Sequence, residues 1–187
     1  MVTVQIDSTT GSELVSTSEI KDYARIETSS DDTLISILNT AARTACENYM
    51  NRDIVAKTRT YFRSNIPFGS GQYNGLYDQR YKIVLPFAPI SSITSVQSEQ
   101  SDGTFATVNH ESYGPKDKYL ILRASNDLNI KIVYTTTGMT DNALKLAIMQ
   151  LATTYYDNRT EYVSKPVNEI PTSIKKMLDP FKYISDI

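Results

Sequence analysis

The sequence is poor in the side chains that most often carry chemistry. Its 187 residues include one cysteine, one histidine and no tryptophan. With Cys46 alone, an internal disulfide and a cysteine-rich zinc site are both excluded. A net charge of −2, from 19 basic and 21 acidic residues, argues against a broad basic face that holds nucleic acid.

Long hydrophobic runs are also missing. No stretch approaches the roughly 18 consecutive apolar residues that a membrane span requires. The first seven residues lack the basic start and the apolar stretch of a signal peptide. We therefore expect a soluble protein of the reducing cytoplasm that does not bind membranes. A hydrophobic content of 40 % with 13 tyrosines predicts a folded chain rather than a disordered one.

Helical patterns occupy the first quarter of the chain. Ser16 and Glu19 form a capping box that predicts a short helix over Thr17–Ala24. Acidic Asp31 and Asp32 predict the start of a second helix, through capping and the helix dipole, that runs to about Met50. At 1.5 Å per residue this helix is roughly 30 Å long. Its apolar face is predicted to consist of Leu34, Leu38, Ala41 or Ala42, Ala45 and Tyr49.

Apolar and polar residues alternate at the start of the chain and in its middle, as they do in β-strands. Alternation at Val2, Val4 and Ile6 predicts an edge strand. Asp102-Gly103 is a hairpin signal between two of the later strands. The other predicted strands cover Ile54–Arg63, Tyr81–Leu85, Ser92–Ser98, Thr104–Val108, Tyr119–Arg123 and Asn129–Tyr134.

Helical spacing returns after Gly138. Thr140 or Asp141 can cap a helix that ends near Arg159, and Pro171 suits the first turn of a last helix that Pro180 ends. The predicted apolar faces are Leu144, Ala147, Ile148, Leu151, Ala152 and Tyr155, then Ile174, Met177 and Leu178. The fold class is therefore α+β: a small helical bundle (16–50 and 140–180) with an inserted antiparallel β lobe (54–134) and an extended tail (181–187), all in a single domain, 1–187.

No catalytic, cofactor or metal site emerges from these patterns. His110 lies in a predicted turn without a nucleophile motif beside it, and it is interpreted as a surface histidine. Cys46 is interpreted as a buried small hydrophobe. Gly69, Gly71 and Gly75 lack the Lys-Ser or Lys-Thr pair of a phosphate-binding loop. Tyr73, Tyr77 and Tyr81, spaced by four, either pack on their own hairpin or bind a partner.

Several short motifs follow one another along nearly the whole chain. They are Ser18–Ile26 with the helix Leu34–Tyr49, the exit Asn51–Val55, the Leu-Pro segment Leu85–Ile93, Ile130–Tyr134 followed by Ala143–Arg159, Ile170-Pro171, and Met177–Phe181. Their joint order resembles the head–tail connector (adaptor, or head-completion) proteins of tailed bacteriophages.

The resemblance implies a structural virion protein rather than an enzyme, without a cofactor. Such proteins form a ring, typically of twelve copies, beneath the portal at the capsid vertex, after assembly in the host cytoplasm. The ring extends the DNA channel, so that DNA is transiting cargo, and it receives the next tail component: a stopper, nozzle or tail tube.

Two contact sites follow as hypotheses. The tail after Pro180 is expected to be extended and unpacked, and to anchor the portal through Phe181, Lys182, Tyr183, Ile184 and Ile187. The loop before the third strand is expected to contact the tail component or a neighbouring subunit through Tyr73, Tyr77 and Arg80.

Three other functions remain as alternatives. A small β-rich module that binds protein or carbohydrate would explain the tyrosine-rich loop but not the flanking helices. A helix-turn-helix regulator would need base-reading side chains where Asp31 and Asp32 stand. A hydrolase would need a catalytic set that the sequence lacks.

Overall fold

The computed structural model describes residues 1–66, 80–113, 119–123, 128–158 and 170–183. Helices and antiparallel sheets both occur, which confirms the α+β class. In chain order the elements are β1 (Val2–Thr9), α1 (Thr17–Ala24), α2 (Asp32–Met50), β2 (Lys57–Ile66), β3 (Arg80–Val84), β4 (Ile90–Glu99), β5 (Phe105–Thr107), β6 (His110–Tyr113), β7 (Tyr119–Arg123), β8 (Leu128–Thr136), α3 (Asn142–Asp157), α4 (Thr172–Leu178) and a 3₁₀ turn (Asp179–Phe181).

The chain divides into two compact units. Among the described residues, the β unit includes those of Met1–Gly11 and Ala56–Gly138, and the helical unit includes those of Ser12–Val55 and 139–183. The β unit contains a five-stranded antiparallel sheet, in the order β1-β2-β8-β4-β5, and a three-stranded sheet, β3-β7-β6. β1 is an edge strand, as predicted.

Side chains from both sheets form the apolar core of the β unit. Its buried members are Tyr61, Ile83, Leu85, Ile90, Val96, Ile130, Ile132 and Tyr134. The predicted strands are all present: β7 has the predicted bounds, and the others have shifted ends. The strand expected from Ile54 begins only at Lys57, because Ile54 is buried in the core of the helical unit and Glu47 binds its backbone N–H.

The prediction of a turn at His110 is wrong. His110 begins β6, which pairs antiparallel with β7, and His110 lies opposite Leu122. The sequence His-Glu-Ser has no apolar alternation, so this strand depends on backbone pairing with β7 rather than on its own pattern. The side chain of His110 is exposed, in agreement with its interpretation as a surface histidine.

The hairpin between β4 and β5 confirms the Asp102-Gly103 signal. Gly103 has a positive φ of 82°, a conformation that glycine adopts without steric cost. The N–H of Gly103 donates to the carbonyl of Gln100 at 2.9 Å, and the Asp102 carboxylate accepts from the N–H and the hydroxyl of Thr104.

The Leu-Pro segment that carried much of the resemblance forms a corner of the β unit. The Tyr134 hydroxyl donates to the carbonyl of Pro86 at 3.0 Å, and the N–H of Thr137 donates to that of Pro89 at 2.9 Å. Phe87 has the left-handed φ of 62°, unusual for a bulky residue, and the Arg59 guanidinium lies 3.7 Å from its ring centre. Stacking on Arg59 therefore helps to hold a strained backbone.

Two of the predicted helix caps are present in the helical unit. Ser16 and Glu19 form both hydrogen bonds of the capping box, and Asp141 accepts from the N–H of Ala143 at 2.7 Å. The capping role predicted for Asp31 is wrong: its side chain makes no cap hydrogen bond and accepts instead from the Tyr156 hydroxyl. Asp32 pairs with Lys21 at 2.7 Å.

The buried face of α2 lies one position away from the predicted face. Ala41 is exposed, and Leu34, Leu38, Ala45 and Tyr49 are only partly buried. Three polar residues share the buried surface with apolar ones, and an apolar pattern cannot reveal them. The buried residues are Ile35, Asn39, Ala42, Arg43, Cys46, Glu47 and Met50.

The later helices follow the prediction with changes at their ends. The predicted face of α3 is buried from Leu144 to Ala152, as are Ile174 and Leu178 of α4. α3 ends at Asp157, whereas its predicted end near Arg159 lies outside the described residues. Pro180 does not end the helical structure, because it lies inside the 3₁₀ turn that continues to Phe181.

Replacing Glu19 by glutamine is expected to remove a pH-dependent part of the stability. The N–H of Ser16, then the Lys145 ammonium at 2.9 Å, lowers the pKa of Glu19 from 4.5 to about 2. Because the folded-state pKa is the lower one, ionised Glu19 stabilises the fold above pH 4.5, and this contribution is lost as the pH falls through about 2. The free energy of unfolding, measured with urea from pH 7 to pH 2, should therefore fall less steeply with acidification in Glu19→Gln than in the wild type. Parallel pH profiles of the two proteins would contradict this role of Glu19.

Candidate interaction surface

Reactive groups offer little chemistry in this fold. Among the described residues, no group of three or more His, Cys, Asp or Glu is placed to hold a metal ion. Cys46 is fully buried, and burial, followed by the charge of Glu47, raises the pKa of its thiol to about 12. The interpretation of Cys46 as a buried small hydrophobe is confirmed. Within the same ranges, no helix is long and apolar enough to cross a membrane.

A buried polar cluster on α2 is the feature that the sequence analysis missed. One carboxylate oxygen of Glu47 accepts from the N–H groups of Ile54 and Val55, at 2.8 and 3.1 Å. The other accepts from Arg43 at 2.6 Å, and Arg43 also donates to Glu13 at 2.8 Å. The Arg–Glu pair at i, i+4 inside an apolar stripe was the available signal. This cluster fixes the direction in which the chain leaves α2, so its role is structural.

The base of the tail is docked, so the prediction that it is extended and unpacked is wrong for residues 181–183. Phe181 packs partly buried against the helical core, and the N–H of Tyr183 donates to the carbonyl of Met50 at 2.8 Å. The last carbonyls of a helix lack intrahelical partners, and Met50 ends α2. The N–H of Tyr183 in the tail therefore supplies a hydrogen-bond donor for the Met50 carbonyl. Ile184 and Ile187 lie outside the described residues.

Two cation–π contacts with tyrosine rings involve this docked segment. The Lys182 ammonium lies 4.5 Å from the ring centre of Tyr49, and the Arg52 guanidinium lies 5.9 Å from that of Tyr183. The Tyr49 hydroxyl donates to Asp179 at 2.6 Å, and this hydrogen bond raises the pKa of Tyr49. The structure therefore brings Phe181, Lys182 and Tyr183 together at the C-terminal end of α2.

The other predicted contact site is described only at its edge. Tyr73 and Tyr77 lie outside the described residues, and Arg80 is the first residue of β3. Their contact with the tail component or a neighbouring subunit therefore stays a prediction.

The exposed face of α2 is a second surface suited to protein contact. An open groove of about 660 Å³ runs along it. Ile37 is 61 % exposed, an unusual position for a large apolar side chain at a helix centre. The residues that line the groove are uncharged and mostly small: Ser36, Ile37, Thr40, Ala41, Thr44, Ala45 and Asn48.

Solved structures of similar fold come from particles of a gene transfer agent (GTA). A chain from the neck of the empty particle, computed with C6 symmetry, has a TM-score of 0.69 at 15 % identity, over 99 % of this chain and 97 % of that one. A chain from the native virion has a TM-score of 0.69 at 14 % identity, over 98 % and 97 %. A chain from the native neck, computed with C12 symmetry, has a TM-score of 0.63 at 15 % identity, over 100 % and 97 %.

The family assignment comes from sequence. No match was found among curated proteins. The sequence model of the head completion protein family matches residues 13–184, which include both the docked tail base and the polar cluster of α2. A match over this much of the chain agrees with the resemblance seen in the motifs. The chain belongs to the head completion protein family, and it is a structural protein of phage-type head–tail connection rather than an enzyme.

Proposed function

We propose that this chain is the subunit of an adaptor ring that joins the portal to the tail and extends the DNA channel during assembly and genome ejection. The observation that carries the proposal is the family match over residues 13–184. The fold it shares with chains from a particle neck supports the same function. In this proposal the two units act as one connector subunit at the capsid vertex, after assembly in the host cytoplasm.

A ring of twelve copies is consistent with the symmetry of the similar neck structures. The similar neck structures were computed with sixfold and twelvefold symmetry. A ring requires two different, complementary surfaces on each subunit, closed by rotation. The net charge of −2 suits a channel through which DNA passes, because many phosphate contacts would hold the DNA in place.

The tail is proposed to contact the portal, with its base fixed on the helical unit. Phe181, Lys182 and Tyr183 set the point from which the chain continues, and Ile184 and Ile187 then reach the portal. An extended segment can add to a partner's sheet or groove, where its backbone gives affinity and its side chains give specificity.

Removing residues 184–187 is expected to reduce co-purification with the cognate portal by about tenfold or more, since a lost apolar contact of 1.4 kcal/mol already gives a factor of ten. The thermal unfolding midpoint should stay unchanged, because the truncation keeps the docked residues 181–183. Ile184→Ser with Ile187→Ser, at full length, serves as the matched variant. Normal portal binding by both variants would refute the proposed tail contact.

The loop with Tyr73, Tyr77 and Arg80 is proposed to contact the next tail component (stopper, nozzle or tail tube) or a neighbouring subunit. Replacing Tyr73 and Tyr77 by serine is expected to impair tail attachment while the complex with the portal still forms, because tyrosines supply much contact area at low entropic cost. Particle infectivity and portal co-purification are the two measurements. Infectious particles in normal numbers would exclude this contact.

A further inference from the structure

The C-terminal end of α2 presents cations that form no ion pair with another described residue, and the Asp179 carboxylate at this end accepts from the Tyr49 hydroxyl. Lys182 and Arg52 are held over the rings of Tyr49 and Tyr183, and Lys176 is exposed in the last turn of α4, which leads into the turn before Lys182. Within the described ranges, none of these three cations forms an ion pair. We call them, with Tyr49 and Tyr183, the basic end of the helical unit.

The stacking leaves hydrogen-bond donors available at this end. A cation over an aromatic ring interacts through the ring face, so its N–H groups keep the capacity to bind an anion. The Nε atom of Arg52 is buried, so another molecule cannot reach it. The exposed Lys176 and Lys182 side chains present the donors that an acceptor on another molecule can reach.

The opposite end of α2 is acidic. The Lys21–Asp32 ion pair brings α1 beside the first residue of α2, and the Tyr156–Asp31 hydrogen bond brings the end of α3 there too. Arg25 is also exposed at this end. At this end of α2, the exposed carboxylates that form no ion pair with another described residue are Asp22, Glu27 and Asp157. We call this set the acidic end. A helix of 19 residues places the two ends about 28 Å apart.

We propose that the basic end of one copy binds the acidic end of the next copy in the ring. The two ends are different and opposite in charge, as the two surfaces of a head-to-tail contact must be. The helix dipole explains why anions lie at the start of α2 and cations at its end, but not why neither set forms an ion pair with another described residue. This inference rests on the proposed ring function and identifies the partner surface within it.

Charge reversal with rescue tests the contact. Lys176→Glu with Lys182→Glu is expected to reduce the amount of ring on the cognate portal by about tenfold or more, because like charges then face each other. Adding Asp22→Lys and Glu27→Lys to the same chain restores opposite charges and is expected to return ring formation to within about twofold of wild type. The matched control is Lys131→Glu: Lys131 also lies over a ring, that of Phe105, but in the β unit.

Cross-linking provides a second measurement, which reports whether the two positions are close together in the assembled ring. Cys46 is buried with a raised pKa, so cysteines at positions 27 and 176 would be the reactive thiols. Oxidation of assembled Glu27→Cys, Lys176→Cys is expected to give a ladder of covalent multimers, whereas either single variant gives none beyond a dimer.

The possible results distinguish a failure of the proposed contact from a failure of the proposed ring function. Normal rings in the charge-reversed chain would reject the contact and leave the ring function standing. Loss without rescue, and without a cross-linked ladder, would reject a second copy as the partner and indicate another acidic protein. Failure of the wild-type chain to form a ring on the portal would reject the proposed function instead.

Discussion

Replacing Glu47 by alanine is expected to lower the free energy of unfolding by about 3–5 kcal/mol, the usual loss when one partner of a buried ion pair is removed. Glu47 is 2 % exposed. Its loss leaves the Arg43 guanidinium buried without this carboxylate, together with two backbone N–H groups that Glu47 now accepts from. Urea unfolding measures this loss directly when the slope of the free energy of unfolding against urea concentration is the same in the variant and the wild type.

Two further variants make the Glu47 result specific. Glu47→Gln keeps a carbonyl oxygen for the N–H groups of Ile54 and Val55 and removes only the charge, so its loss should be smaller. Glu13→Ala removes the partner of Arg43 that is about one-third exposed, and a loss of about 1 kcal/mol is expected. Equal stability of Glu47→Ala and wild type would mean that this cluster does not fix the exit from α2.

Replacing Ile132 by alanine is expected to cost about 2–5 kcal/mol, because it leaves a cavity at the centre of the β unit. Ile132 is fully buried on β8, the middle strand of the larger sheet. It lies opposite Tyr61 on β2 and Val96 on β4, which are both buried as well. Side chains on three strands therefore lose contacts together.

The neighbouring Val133 provides the control for Ile132. It lies on the same strand, points to the other face of the sheet and is only partly buried. Val133→Ala is expected to cost about 1 kcal/mol. Similar losses in the two variants, measured by urea unfolding, would show that the core does not lie on the Ile132 face.

Local signals were sufficient to predict most of the helices and strands. Ser16 with Glu19, and Asp141, mark helix starts through hydrogen bonds to residues two or three positions away. The hairpin at Gly103 similarly depends on its own backbone conformation. In each case the physical cause lies within a few residues, so the sequence order contains it.

Long-range contacts decided the features that were predicted wrongly. Asp31 lost its capping role to the hydroxyl of Tyr156, which lies 125 residues away. Phe181 packs against a core assembled from distant helices, so no pattern near Pro180 could indicate its docking. The basic end of the helical unit also depends on long-range contacts, because Tyr49 and Lys182 meet only after α2 and the tail are in place.

Imaging the complex of this chain with its cognate portal tests the connector function most directly. We expect a closed ring of twelve copies, coaxial with the portal, whose channel wall is not strongly basic. A complex without a ring, or a ring with a strongly basic wall that would hold DNA, would contradict the proposed function.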